Sequence, residues 1–163
     1  MKKGNKGFTL IELLVVIAII AILSTVVMAG LNSARQKGRD AKRLSDIKQF
    51  QTALELCYDV VGGYPGAAAL GALPAGGTDC DYRVGAGNVT RFDTFLGTTP
   101  VNPTPGGATY QYCSSAVSTP ALTDCAAPGA GTGASSYLIT FTLEGSSGSL
   151  AAGAHLASPT GIR

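Results

Sequence analysis

Apolar side chains dominate the chain from Phe8 to Leu31, broken near the start by one acid, Glu12, and later by Ser24-Thr25. From Leu13 to Leu23 there is no polar side chain, and Leu13 to Leu31 is 19 residues, enough to cross a hydrocarbon core as a helix. Beyond Asn32 the helical pattern continues without proline but turns amphipathic. Leu44, Ile47, Leu54, Tyr58 and Val61 recur three, four and seven positions apart, with Phe50 and Cys57 beside them. This spacing predicts one apolar stripe and places Arg39, Asp40, Lys42, Arg43, Asp46, Lys48 and Glu55 on the other faces. A single helix from Phe8 to about Val61 is expected. It stops at Gly62-Gly63-Tyr64-Pro65, where glycine permits a left-handed cap and proline cannot continue a helix.

The remainder is punctuated by turns. Gly66 to Gly107 reads as a loop-rich connection, with Cys80 to Val84 a candidate strand. Thr109 to Cys113 is a short strand candidate with Tyr110 and Tyr112 on one face. In Ser136 to Glu144, Tyr137, Ile139, Phe141 and Leu143 alternate with Leu138, Thr140, Thr142 and Glu144, the period of a strand with one apolar and one mostly polar face. Residues 145–163 are rich in Gly, Ser and Ala and read as a flexible tail or an added edge. The fold class is therefore α+β, a long N-terminal helix (transmembrane, then amphipathic) packed on a small antiparallel sheet in a head domain.

A carboxylate inside a membrane helix costs about 2.5–3.5 kcal/mol at the bilayer centre and by default marks a functional site. The residues around Glu12, Lys6-Gly7-Phe8-Thr9-Leu10-Ile11-Glu12-Leu13-Leu14, resemble the type III signal of type IV pilins and type II secretion pseudopilins. The resemblance implies cleavage by a prepilin peptidase between Gly7 and Phe8, N-methylation of Phe8, and use of Glu12 with the Phe8 amine in filament assembly. It divides the chain into a leader (1–7), an assembly helix (8–31), an amphipathic helix (32–62), a strand-bearing head (63–144) and a tail (145–163), a pilin-like plan. The run Arg39 to Ile47 and the Gly-Tyr-Pro end also look like pseudopilin-type subunits.

Elementary electrostatics agrees with that implication. Cutting at Gly7–Phe8 places an α-amine at the mouth of the apolar run, and one methyl group leaves it a charged donor. Pairing it with Glu12 of a neighbouring subunit relieves two buried charges and fixes register. Pairing within one chain is the local alternative, since i and i+4 share a helix face. An ordinary secretory signal has a shorter apolar core and a small-residue cleavage site, whereas no Ala-x-Ala precedes the amphipathic segment.

Orientation is not settled by charge, because Lys2, Lys3 and Lys6 precede the apolar run while Arg35, Lys37, Arg39, Lys42 and Arg43 follow it. The resemblance places residues 1–7 in the cytoplasm, the helix as a single pass through the inner membrane, and the head in the periplasm or outside the cell. It also implies a homo-oligomeric filament built by an inner-membrane platform with a cytoplasmic ATPase.

Composition narrows the chemistry. The 163 residues carry 12 Lys and Arg against 10 Asp and Glu. Removing Lys2, Lys3 and Lys6 turns the formal charge from +2 to −1. With only Arg83, Arg91 and Arg163 beyond Lys48, no strong nucleic-acid surface is expected. The four cysteines of an exported domain favour disulfides; Cys113–Cys125 is the first choice, leaving Cys57 to reach Cys80. No Cys-x-x-Cys pair exists and His155 is the single histidine, which speaks against zinc. Major pseudopilins bind calcium in a head loop, but Asp79, Asp81, Asn88 and Asp93 lack a regular ligand spacing, so no cofactor is expected.

No nucleophile, base and phosphate-loop arrangement is present, and an enzyme is not expected. The expected function is a structural subunit of a type IV pilus-like or type II secretion pseudopilus filament. A surface or competence pilin serving adhesion, motility or DNA uptake is the alternative. An unpolymerised membrane-anchored binding module is the second.

Overall fold

A computed structural model describes residues 7–66, 71–73, 80, 92–104, 109–115, 120 and 134–163. One helix, α1 (Leu10–Val61, 52 residues), runs through two compact units, Met1–Gln36 and Lys37–Arg163. It begins at Leu10 rather than Phe8 because Thr9 serves as its N-cap, the Glu12 N–H donating to Thr9 Oγ1 at 3.3 Å. It ends where Gly62 takes φ +73° and its N–H donates to the Tyr58 carbonyl at 2.7 Å, a left-handed cap that any Cβ would strain.

In the first unit the described large apolar side chains from Phe8 to Leu31 are 40–86% exposed. The polar pair in this run satisfies itself on the helix: Ser24 Oγ donates to the Ile20 carbonyl and Thr25 Oγ1 to that of Ile22, both at 2.7 Å. The run therefore presents hydrocarbon on all sides, as a helix meeting lipid or other helices does.

The second unit is built on a five-stranded antiparallel sheet in simple sequential order: β1 (Gly71–Ala72), β2 (Gln111–Ser115), β3 (Ser136–Leu143), β4 (Gly153–Ser158) and β5 (Gly161–Ile162). Tyr112 faces Ile139 across β2 and β3, and Phe141 faces His155 across β3 and β4. One face of the sheet carries Tyr112, Tyr137, Ile139, Phe141 and Leu143 into a core shared with Ile47, Phe50, Ala53, Leu54 and Cys57 of α1. Phe92, on a short 3-10 turn (Phe92–Thr94), joins it, its ring 5.1 Å from that of Phe50. Cys113 and Leu138, alternating with those residues, form a small second cluster capped by Leu156.

Several expectations change against these elements. The candidate strand Thr109–Cys113 is displaced to Gln111–Ser115, with Tyr110 buried just before it. Of the two readings of residues 145–163, a flexible tail or an added edge, the second holds, as β4 and β5: small Gly, Ala and Ser side chains let β4 lie flat against β3, and five residue pairs register the two. The polar face expected of β3 is present at Thr140 and Thr142, which are half-buried, while Leu138 on the same face is buried against Cys113 and Leu156. The candidate strand Cys80–Val84 lies, apart from Cys80, outside the described residues.

The helix stripe also shifts. Buried positions on α1 run Asp40, Arg43, Ile47, Phe50, Leu54, Cys57, an alternation of three and four that is the seam of a packed helix. Tyr58 is 39% exposed, and Val61's side chain lies outside the description. Asp40 and Arg43, assigned by sequence to solvent, continue the seam because each finds charged or polar partners on the head.

Candidate functional site

In the first unit the chemistry gathers at the start of α1. Thr9 and Glu12 form a capping box: Glu12 Oε2 accepts from the Thr9 N–H at 2.8 Å and from the Thr9 hydroxyl at 2.7 Å. Phe8 stands 86% exposed immediately before this cap, next to an open Gly7. The carboxylate is therefore held at the mouth of the apolar helix, in contact with the residue that follows Phe8. The sequence reading considered Phe8 as a local partner and missed Thr9, although Thr-x-x-Glu before an apolar run is the written signature of this cap.

In the second unit the polar chemistry lies where α1 meets the end of β3. Arg43 is fully buried and among the described residues meets Asp40 Oδ1 at 2.7 Å, Glu144 Oε1 at 2.6 Å, Asn102 Oδ1 at 2.8 Å and the Pro103 carbonyl at 3.0 Å. Arg39 grips Glu144 with a second, two-pronged contact, its Nε donating at 2.8 Å and its Nη2 reaching the other oxygen. Asp40 in turn accepts from the backbone N–H groups of Glu144 and Gly145 at 2.9 and 2.8 Å. Hydrogen bonds from Arg39, joined by those from Arg43, hold the Glu144 carboxyl down at about 2. The same bond raises the Arg39 guanidinium above its ordinary value.

Every member of this cluster has partners, so it acts as a latch and leaves no group poised for catalysis. Among the described residues no group of three or more His, Cys, Asp or Glu could hold a metal ion. Asp79, Asp81 and Asn88, considered for calcium, lie outside the described residues. His155 is buried, its Nε2 2.8 Å from the Ala151 carbonyl and its ring against Phe141.

The far end of the helix is tied by a disulfide between Cys57 and Cys80, both buried. Cys113 is disulfide-bonded as well, and Cys125, the partner expected for it, lies outside the described residues. Beside Cys57, Glu55 accepts from the Tyr64 hydroxyl at 3.0 Å and the Tyr137 hydroxyl at 3.3 Å. Burial first, then the Glu55 charge, pushes both phenols above their usual range.

The apolar helix, long enough to cross a membrane, its terminal Thr9–Glu12 cap and the small antiparallel head define a pilin-like subunit. Residues 2–28 match the family described as the prokaryotic N-terminal methylation motif. The chain is 32% identical over 120 residues to the type II secretion system core protein G of Vibrio cholerae, covering 70% of this chain and 75% of the relative. It is 33% identical over 85 residues to the type IV major fimbrial protein FimA of Dichelobacter nodosus (52% of this chain, 54% of the relative). It is 48% identical over 57 residues to the type IV wide pilus major component PilA4 of Thermus thermophilus (33% and 44%).

The chain belongs to the type IV pilin and type II secretion pseudopilin family, whose members are structural and not enzymes. It spans about half the length of the type IV pilins it matches. No solved structure matches it.

Proposed function

We propose that this chain is made as a precursor, cut by a prepilin peptidase between Gly7 and Phe8, methylated on the Phe8 amine, and polymerised through α1 into a filament. The observation that carries this reading is an apolar helical run whose large side chains are 40–86% exposed, with a single carboxylate, Glu12, held near its start by Thr9. Such a surface needs lipid or like helices around it. Apolar packing alone gives little drive for helices to leave lipid for one another. A charge pair between Glu12 and the amine of an adjoining subunit supplies direction and register. The Thr9 contact shields the carboxylate meanwhile, and a neighbour's amine must compete with it.

Extraction from the membrane requires work, supplied in this reading by an inner-membrane platform and its ATPase. The head lies outside the cytoplasm, where a disulfide such as Cys57–Cys80 persists. Mass spectrometry of the mature subunit tests the processing step. A methylated Phe8 N-terminus is expected, and an intact Met1 in cells with an active peptidase overturns it. Glu12→Ala tests the pairing: loss of filaments with normal membrane insertion is expected, and normal polymerisation removes the argument.

Between machines, the match to core protein G that spans 70% of this chain favours a secretion pseudopilus. The pilin matches keep a surface pilus as the second reading. Immunogold labelling of intact cells distinguishes them, since a surface pilus is labelled outside the cell and a pseudopilus is not.

A further inference from the structure

Five basic residues, Arg35, Lys37, Arg39, Lys42 and Arg43, fall within nine positions just after the apolar run. The head sorts them into two sets. Arg39 and Arg43 turn inward and are consumed by Glu144 and Asp40. Lys37 and Lys42 are exposed and, among the described residues, have no ion pair; Arg35 is exposed too. The only acid between Leu31 and Ser45 is Asp40, which is 2% exposed and occupied by Arg43 and two backbone N–H groups. The latch therefore neutralises that acid, and since the Glu144 carboxylate it brings in is itself held by Arg39 and Arg43, the stretch stays net cationic through Arg35, Lys37 and Lys42.

Lys37 follows Leu31, the last residue of the apolar run, by six positions, and Lys42 follows it by eleven, a helical rise of about 9 Å and about 16 Å. The interfacial zone beyond a hydrocarbon core is about 5–8 Å thick on each side. A lysine adds a long flexible stem that can carry its ammonium back toward that zone. Ammonium groups so placed meet phosphates. Each such cation near an anionic leaflet favours the bound state by about fivefold.

We propose that Lys37 contacts anionic phospholipid headgroups, with Lys42 beyond direct reach but within the field of the same surface, holding the unassembled subunit at the outer face of its membrane. The inference rests on the reading that α1 is inserted in a bilayer, and it goes beyond that reading in naming the lipid class and the residues. It also gives the Asp40–Arg43–Glu144 latch a second consequence, since opening it would return a carboxylate to the cationic surface.

Lysine acylation footprinting of the full chain in nanodiscs tests this. Discs of phosphatidylcholine alone are compared with discs containing phosphatidylglycerol, and with phosphatidylcholine discs plus inorganic phosphate. An anionic surface at about −30 to −50 mV slows acylation of an amine held against it by about three- to sevenfold. That slowing is expected at Lys37 in the phosphatidylglycerol discs, a smaller one at Lys42, and none at Lys48, which lies further along α1. High salt should abolish it. Equal rates in both kinds of disc overturn the proposal, and equal slowing by inorganic phosphate overturns the lipid as the source. Failure of the chain to enter discs of either composition would instead count against the membrane reading itself.

Discussion

Arg43 Nη2 lies 2.6 Å from Glu144 Oε1, joining the seam of α1 to the residue that follows β3. The bond sits in a setting where the guanidinium is fully buried and Glu144 is about four-fifths buried. Opposed charges removed from water are a weak net gain when complete and a large loss when broken. The latch therefore specifies where the head docks on its helix more than it adds stability.

Removing Arg43 should be costly. Arg43→Ala leaves the buried Asp40 without its cation and Glu144 with Arg39 alone, and is expected to destabilise the head by about 3–5 kcal/mol. Arg43→Lys supplies a charge but not the fork that serves several acceptors, and should fall between. Thermal unfolding of the full chain in detergent, followed by far-UV circular dichroism, checks both. An Arg43→Ala transition within a degree of wild type would refute the latch.

Much of this was written in the sequence, and the misses share a cause. The helix, its Gly62 stop, and β3 follow from periodicity and turn chemistry, which are local. Asp40 and Arg43 were placed on the wrong side because a hydrophobic pattern cannot say that charged residues extend an apolar seam; only their partners at Asn102, Pro103 and Glu144 do. β4 and β5 are not told from a tail by sequence because their small side chains carry no alternation, and pairing with β3 supplies what intrinsic preference lacks. Thr9 is legible as a cap from the Thr-x-x-Glu spacing alone.

Acid should open the latch from the Glu144 side. Its carboxyl is held near 2 in the folded head, against an ordinary value of 4.5. A depressed folded value means the stabilisation is fully present above about pH 4.5 and is lost as pH falls toward about 2. Glu144→Gln should flatten that slope while lowering stability at neutral pH. Melting temperatures between pH 2 and 6 for the two proteins give the comparison, and parallel curves would exclude Glu144 as the source.

Reduction should loosen the far end of the helix. Cys57 and Cys80 are 23 residues apart, and closing a loop of that size is worth about 3 kcal/mol on the chain-entropy account. Replacing both with alanine should lower the unfolding midpoint accordingly. Hydrogen exchange should quicken most in the last turns of α1 near Cys57, with the Asp40–Arg43 region changing least. Uniform quickening along the helix would mean that the bond supports the whole head instead.

Alkali should attack the aromatic core through its phenols. Burial raises Tyr64, Tyr110, Tyr112 and Tyr137 above the ordinary value of 10; Glu55 adds to the effect at Tyr64 and Tyr137, and Asp46 at Tyr110. A raised folded value has the opposite sign to the carboxylate case. The stabilisation is whole below about pH 10, where the unfolded phenol is neutral, and is lost as pH rises toward the folded values. These four tyrosines, of six in the chain, should therefore remain protonated until the head unfolds. Tyrosinate absorbance near 295 nm should then rise in one step with loss of circular dichroism. Glu55→Gln should move the midpoint of that step downward, because the Tyr64 and Tyr137 hydroxyls donate to the Glu55 carboxylate and a neutral amide oxygen is a weaker acceptor. Gradual ionisation of all six tyrosines before any loss of structure would show that the hydroxyls are open to water and that Glu55 does not order this end of the head.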